Sequence, residues 1–189
     1  MRRTVLWPAA ALAAALALGA CHRHHGPHDH PGPHGPHVSA ATLSELPTPL
    51  PSPYDQGATA DVVNARIDAA FARASAGGKR VIVDLGGNWC GWCRTLVGVM
   101  ELPEVKPFID ANFEVVPVDV TSAKGHIDLN SQVLKRFDVA NVEGVPWLVV
   151  ADASGHVLAS TDAITDDAHQ TPQAMVDWLA QWAKTPAAS

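Results

Sequence analysis

Cysteine is scarce, with three residues in a chain of 189. That is too few for a disulfide-rich scaffold or a four-thiolate zinc site. Basic excess is also lacking: 13 Lys and Arg stand against 19 Asp and Glu, and no basic run exceeds two residues. A nucleic-acid binder needs a basic patch to meet phosphate, so that class is excluded. Only one long apolar stretch occurs, which excludes a polytopic membrane protein. What is plentiful is unevenly placed, since the 15 prolines and 10 histidines concentrate in the first third of the chain. The length suits one domain with a leader or tail.

Met1-Arg2-Arg3 is a short basic head, Val5 to Leu18 is an apolar run of mostly Ala and Leu, and small Gly19 and Ala20 precede Cys21. This is the order of a secretory signal. The run is short for a membrane span and holds Pro8, so cleavage is expected rather than anchoring by a helix. Leu18-Gly19-Ala20-Cys21 resembles the lipobox of bacterial lipoproteins. That resemblance implies removal of residues 1–20, a lipid on Cys21, and a place in the bacterial cell envelope facing the periplasm. His22 directly after the lipidated cysteine points to the outer membrane. Lipidation of Cys21 also leaves a pair of cysteines rather than an odd exported thiol.

Residues 21–37 follow as a histidine tract. His22, His24, His25, His28, His30, His34 and His37 alternate with Pro and Gly, and no large apolar side chain accompanies them. Such a segment cannot bury a core and is expected to be disordered. Neutral imidazoles bind copper, zinc or nickel, so the tract is either a weak metal-binding segment or a polar spacer. Residues 38–58 carry Pro47, Pro49, Pro51 and Pro53, the alternation of an extended, semi-rigid linker. Together these segments are expected to hold a domain away from a membrane.

Residues 59–185 form the expected domain, with 186–189 as a tail. Val63, Ile67, Ala70, Phe71 and Ala74 share one helical face, Thr59 or Asp61 caps its start, and Gly77-Gly78 ends it. Arg80 to Leu85 is a β-branched run typical of a buried strand. Cys90 to about Met100 reads as a helix interrupted near Pro103, and residues 104–111 as another helical turn. Phe113 to Val120 is a second strand, 121–130 a loop, and Ser131 to Phe137 a short helix. Trp147 to Ala151 and His156 to Ser160 flank Asp152-Ala153-Ser154-Gly155, a hairpin signal. Thr171 and Pro172 open a last helix with Met175, Trp178, Leu179 and Trp182 facing inward. The alternation predicts an α/β fold, a central sheet with helices on both faces.

The chemistry is expected at Cys90-Gly91-Trp92-Cys93. A C-x-x-C pair between a strand and a helix places the first thiol at the helix start. There, free N–H groups and the helix dipole favour the thiolate. Cys90 is thus the expected exposed nucleophile, and Cys93, one turn further in, the shielded thiol that attacks a mixed disulfide. A zinc site and a purely structural disulfide are the alternatives, but the domain offers no second cysteine pair or histidine-spaced partner. Asp84, in an apolar strand six residues before Cys90, is either a buried acid with a raised pKa or an exposed strand-end residue. His126, His156 and His169 are isolated and expected at the surface.

The segment Val83-Asp84-Leu85-Gly86-Gly87-Asn88-Trp89-Cys90-Gly91-Trp92-Cys93 resembles the active-site segment of the thioredoxin superfamily. Val142-Glu143-Gly144-Val145-Pro146-Trp147 resembles its second signature, a loop with a cis proline. The long stretch between the motifs resembles an exported branch related to the catalytic domains of membrane thiol–disulfide interchange proteins. The resemblance implies a thioredoxin-like fold with a mixed sheet, and a protein-disulfide oxidoreductase with no dissociable cofactor. It implies a catalytic set of Cys90, Cys93 and Asp84, with Asp84 taking the Cys93 proton. It implies cis-Pro146 presenting Val145 to an extended substrate. Trp92 and Trp147 form an apolar rim, Trp147 serving equally well as core, and Trp89 packs beneath the motif. Protein disulfides are the implied substrates and a membrane thiol protein the electron donor. Two departures bear on direction. Trp92 stands where thioredoxin has proline, and Pro117 falls roughly where a lysine often partners the buried acid. The acid at Asp84 favours a reductase over an oxidase or isomerase.

Overall fold

The computed structural model describes residues 33–123, 126–140 and 142–184. The predicted signal, Cys21 and the histidines from His22 to His30 lie outside the described residues, as does the tail.

Helix α1 (Ala60–Gly77) starts where the Thr59 side chain accepts the Val62 N–H and stops at Gly78, whose φ of 62° only glycine adopts easily. It buries Val63, Ile67, Ala70 and Ala74. Strand β1 (Arg80–Gly86) follows, then α2 (Gly91–Met100), α3 (Lys106–Asn112) and β2 (Phe113–Asp119). A two-stranded ribbon, β3 (Thr121–Ala123) and β4 (His126–Ile127), replaces part of the expected 121–130 loop. Short α4 (Ser131–Arg136), strands β5 (Trp147–Ala151) and β6 (Val157–Thr161), and α5 (Pro172–Gln181) complete the order. Among the described residues, no helix is long and apolar enough to cross a membrane.

The main sheet has strand order β2-β1-β5-β6. β1 runs parallel to β2 and antiparallel to β5, and β5 pairs with β6 as the predicted hairpin. The sheet is therefore mixed, and its central strand β1 is buried on both faces. Side chains alternate along β1. Val81, Val83 and Leu85 join the core beneath α1 and α4, with Ile67 and Val133. Ile82 joins the opposite core, with Leu96 and Val99 of α2 and Met175 and Leu179 of α5. Asp84 is two residues after Ile82, so alternation puts it on the same side of the sheet as α2. Helices on both faces and a mixed sheet are the α/β arrangement the sequence predicts.

The proline-rich segment is not a free spacer. Val38 and Leu46 are buried in the α2–α5 core, and Tyr54 is buried beside the cysteines. Polar bonds fasten the path. Gln173 Oε1 accepts the Val38 N–H at 2.8 Å, and Asp177 Oδ1 accepts the Gly35 N–H at 3.0 Å. Arg94 of α2 donates to the carbonyls of Leu50 and Pro51 at 2.5 and 2.8 Å. A short 3-10 turn over Leu43–Glu45 and several bends interrupt the expected extension, and the few large apolar residues give the stretch a sheltered face. It lies on the domain as a strap.

Candidate active site

The loop from β1 to α2 forms a tight turn, with Cys90 N–H donating to the Gly87 carbonyl at 3.0 Å. Cys90 then takes the N-cap position of α2, and its Sγ accepts the Cys93 N–H at 3.1 Å. A sulfur placed there faces the unpaired N–H groups of the first helical turn, which favour negative charge. Cys90 and Cys93 are joined as a disulfide. The Val145–Pro146 bond is cis, the isomer the resemblance implies, and the Val145 carbonyl oxygen lies 3.4 Å from Cys90 Sγ.

Accessibility differs from the sequence expectation in two places. Cys90, expected at the surface, is only 5% exposed in the disulfide form, because Tyr54 and Val145 pack against the sulfur pair. Cys93 is fully buried, so Cys90 is still the outer of the two. Trp89, expected beneath the motif, is 41% exposed, and its indole N–H donates to Thr121 Oγ1 at 2.7 Å. Gly87 leaves room for that bond, since a Cβ there would stand 3.0 Å from the Trp89 indole nitrogen. Trp92, between the two cysteines in sequence, is 39% exposed. Trp147 is half-buried at the start of β5, with its indole N–H on Ser160 Oγ at 3.0 Å. Trp178 belongs to the core and packs on Trp182 at 5.9 Å between ring centroids.

Asp84 is fully buried, not a strand-end surface residue. Its neighbours in register are Pro117 on β2 and Leu148 on β5, neither of which offers a cation. Oδ2 accepts a 2.7 Å hydrogen bond from the Tyr54 hydroxyl, whereas Oδ1 has no partner among the described residues. Burial pushes the Asp84 carboxyl up to about 7, and the Tyr54 hydrogen bond opposes the rise. Burial and the nearby Asp84 charge push the Tyr54 hydroxyl far above its ordinary range, so it stays protonated and donates. A carboxyl that titrates near neutrality can take a proton and return it during thiol exchange.

Tyr54 is the residue the sequence did not single out. It is the one tyrosine of the chain, inside a proline-rich stretch otherwise read as spacer. A single aromatic directly after the last of the alternating prolines, Pro53, was the available signal.

Residues 62–153 match the family model described as thioredoxin-like. This part of the chain has a thioredoxin-like fold. A thioredoxin from Alicyclobacillus acidocaldarius subsp. acidocaldarius is 33% identical over 75 residues, which are 40% of this chain and 63% of that protein. The chain thus spans less than two thirds of that curated relative. The crystal structure of a disulphide isomerase from Xylella fastidiosa Temecula1 superposes with a TM-score of 0.59 at 26% identity, covering 70% of this chain and 97% of that one. The matched residues account for strands β1, β2 and β5 and the C-x-x-C helix, whereas β6 lies beyond them. The strap and α5 lie outside the matched residues.

Metal ligands do not gather near this site. Among the described residues no group of three or more His, Cys, Asp or Glu is arranged to hold an ion. His34, one of the tract histidines, instead lies 3.3 Å from Asp177.

Proposed function

We propose that this chain is a thiol–disulfide oxidoreductase of the bacterial envelope, working as a protein-disulfide reductase. The observation that carries the reading is the Cys90–Cys93 disulfide at the start of α2, with the buried Asp84 linked to it through Tyr54. In the reduced enzyme, Cys90 thiolate attacks one sulfur of a client disulfide and releases the other as a thiolate. Cys93 then loses its proton to Asp84 and attacks Cys90 Sγ. The Cys90–Cys93 bond forms, the Cys90–client bond breaks, and the electron pair leaves on the client sulfur. A dithiol donor on the membrane returns two electrons to the disulfide. Trp92, Trp147 and the Val145–Pro146 backbone supply the surface on which an extended client strand lies.

Anchoring through a lipidated Cys21 and an outer-membrane location complete the proposal and rest on the sequence of the first 22 residues. Any metal held by the tract from His22 to His30 would be a separate property. The deciding experiment is insulin-disulfide reduction with dithiothreitol as electron source. Cys90→Ser abolishes turnover, and Cys93→Ser accumulates mixed disulfides with envelope proteins. Undiminished turnover by Cys90→Ser would overturn the assignment. The equilibrium potential of the couple fixes direction: about −270 mV marks a reductant and about −120 mV an oxidant.

A further inference from the structure

We propose that Tyr54 is a positioning residue of the dithiol site. Carried in by the strap, its hydroxyl holds the Asp84 carboxylate in the ionised form that accepts the Cys93 proton. This deepens the oxidoreductase reading and rests on it.

The seat for Tyr54 is built from several sides. Asn88 grips its backbone twice: Oδ1 accepts the Tyr54 N–H at 3.1 Å, and Nδ2 donates to the Tyr54 carbonyl at 2.7 Å. Asn88 is two residues from Cys90, so the strap is fastened to the active-site turn itself. Gly86, the last residue of β1, makes space for the ring. A Cβ there would stand 2.6 Å from both the ring carbon Cζ and the hydroxyl oxygen of Tyr54. The ring packs in one buried cluster with Cys90 and Cys93, while the hydroxyl reaches Asp84 Oδ2.

The electrostatic setting makes that hydroxyl consequential. Pro117 and Leu148 flank Asp84 across the sheet, and its other oxygen is unpartnered among the described residues. Among the described residues, Asp119 of β2 is the other charged group close enough to add to the rise of the Tyr54 pKa, while the two cysteines are held as a disulfide. No cation faces the acid from these elements. A phenol that stays protonated can only donate toward a carboxylate, and such a bond favours the charged form. In the resolving step the Cys93 proton moves to Asp84 as the Cys90–Cys93 bond forms and the client sulfur departs. Without the donor, a smaller fraction of Asp84 is ionised at neutral pH and free to take that proton.

The test uses the full chain with Tyr54→Phe, which keeps the ring and removes the hydroxyl. Two readouts are followed: the Asp84 side-chain carboxyl by carbon NMR titration of the disulfide form, and the pH profile of insulin reduction. Asp84 is expected to titrate near 7 in the parent chain, and about one pH unit higher in Tyr54→Phe. The rate profile moves by the same amount. Coincident Asp84 titrations in the parent and Tyr54→Phe overturn the proposal, as does a rate profile that stays put when the titration moves. In either case a parent chain that reduces insulin leaves the oxidoreductase reading standing. A parent chain that cannot reduce insulin ends that reading, and the catalytic role of Tyr54 with it.

Discussion

The Tyr54 hydroxyl and Asp84 Oδ2 lie 2.7 Å apart although 30 residues separate them in sequence. The bond joins a segment ahead of the thioredoxin-like domain to the central strand of its sheet. It is the donor given to an otherwise isolated acid.

Asp84 should make stability fall with pH. Its folded carboxyl titrates near 7, whereas an unfolded one titrates near ~4. Between those values the folded chain binds a proton that the unfolded chain has lost, so stability is greatest at the acid end and declines as pH rises. The loss approaches roughly 4 kcal/mol above the folded value. Asp84→Asn removes this slope. In urea unfolding, the variant gains on the parent between pH 4 and pH 8, with the two nearly equal at pH 4. Parallel pH dependences would contradict the buried acid.

Removing residues 22–58 should destabilise the domain. Val38, Leu46 and Tyr54 are buried in the folded chain, and burial of such side chains contributes about 1.5–3 kcal/mol each. The truncated chain is expected to lose roughly 5 kcal/mol in chemical unfolding. A segment acting only as a spacer would leave the midpoint where it was.

Asn88→Ala should loosen the strap without touching the sheet. Two hydrogen bonds to the Tyr54 backbone are lost, at a cost of about 2 kcal/mol. Hydrogen exchange of the Tyr54 amide is expected to accelerate, with the amides of β1 staying slow. Equal exchange in both proteins would mean that Arg94 and the core contacts hold the strap unaided.

Two tryptophans should separate surface from core. Trp92 is exposed, so Trp92→Ala changes stability by less than about 0.5 kcal/mol, while KM for protein disulfides rises. Trp178 is buried among α5 and its neighbours, and Trp178→Ala costs about 3–5 kcal/mol. Thermal unfolding and insulin kinetics on the same samples distinguish the two.

Much of the domain was legible because its signals are local. Thr59 and Gly78 mark the ends of α1, the β-branched run marks β1, and Asp152 to Gly155 marks the hairpin turn. The C-x-x-C pair announced itself by spacing alone. What escaped was set by contacts distant in sequence. Tyr54 is buried only because Gly86 leaves a hollow and Asn88 grips its backbone. Cys90 is covered for the same reason. Trp89 turned outward because Thr121 offers its indole an acceptor. The β3–β4 ribbon is short and polar, so periodicity had nothing to register.

The fastening at Asn88 has a consequence for engineering the domain. The dithiol and its acid fall within residues 62–153, but the phenol arrives from beyond that boundary. Grafting the matched segment alone into another scaffold would transplant the sulfurs and leave the Asp84 carboxyl without its donor, so the structural unit around the disulfide is larger than the matched segment.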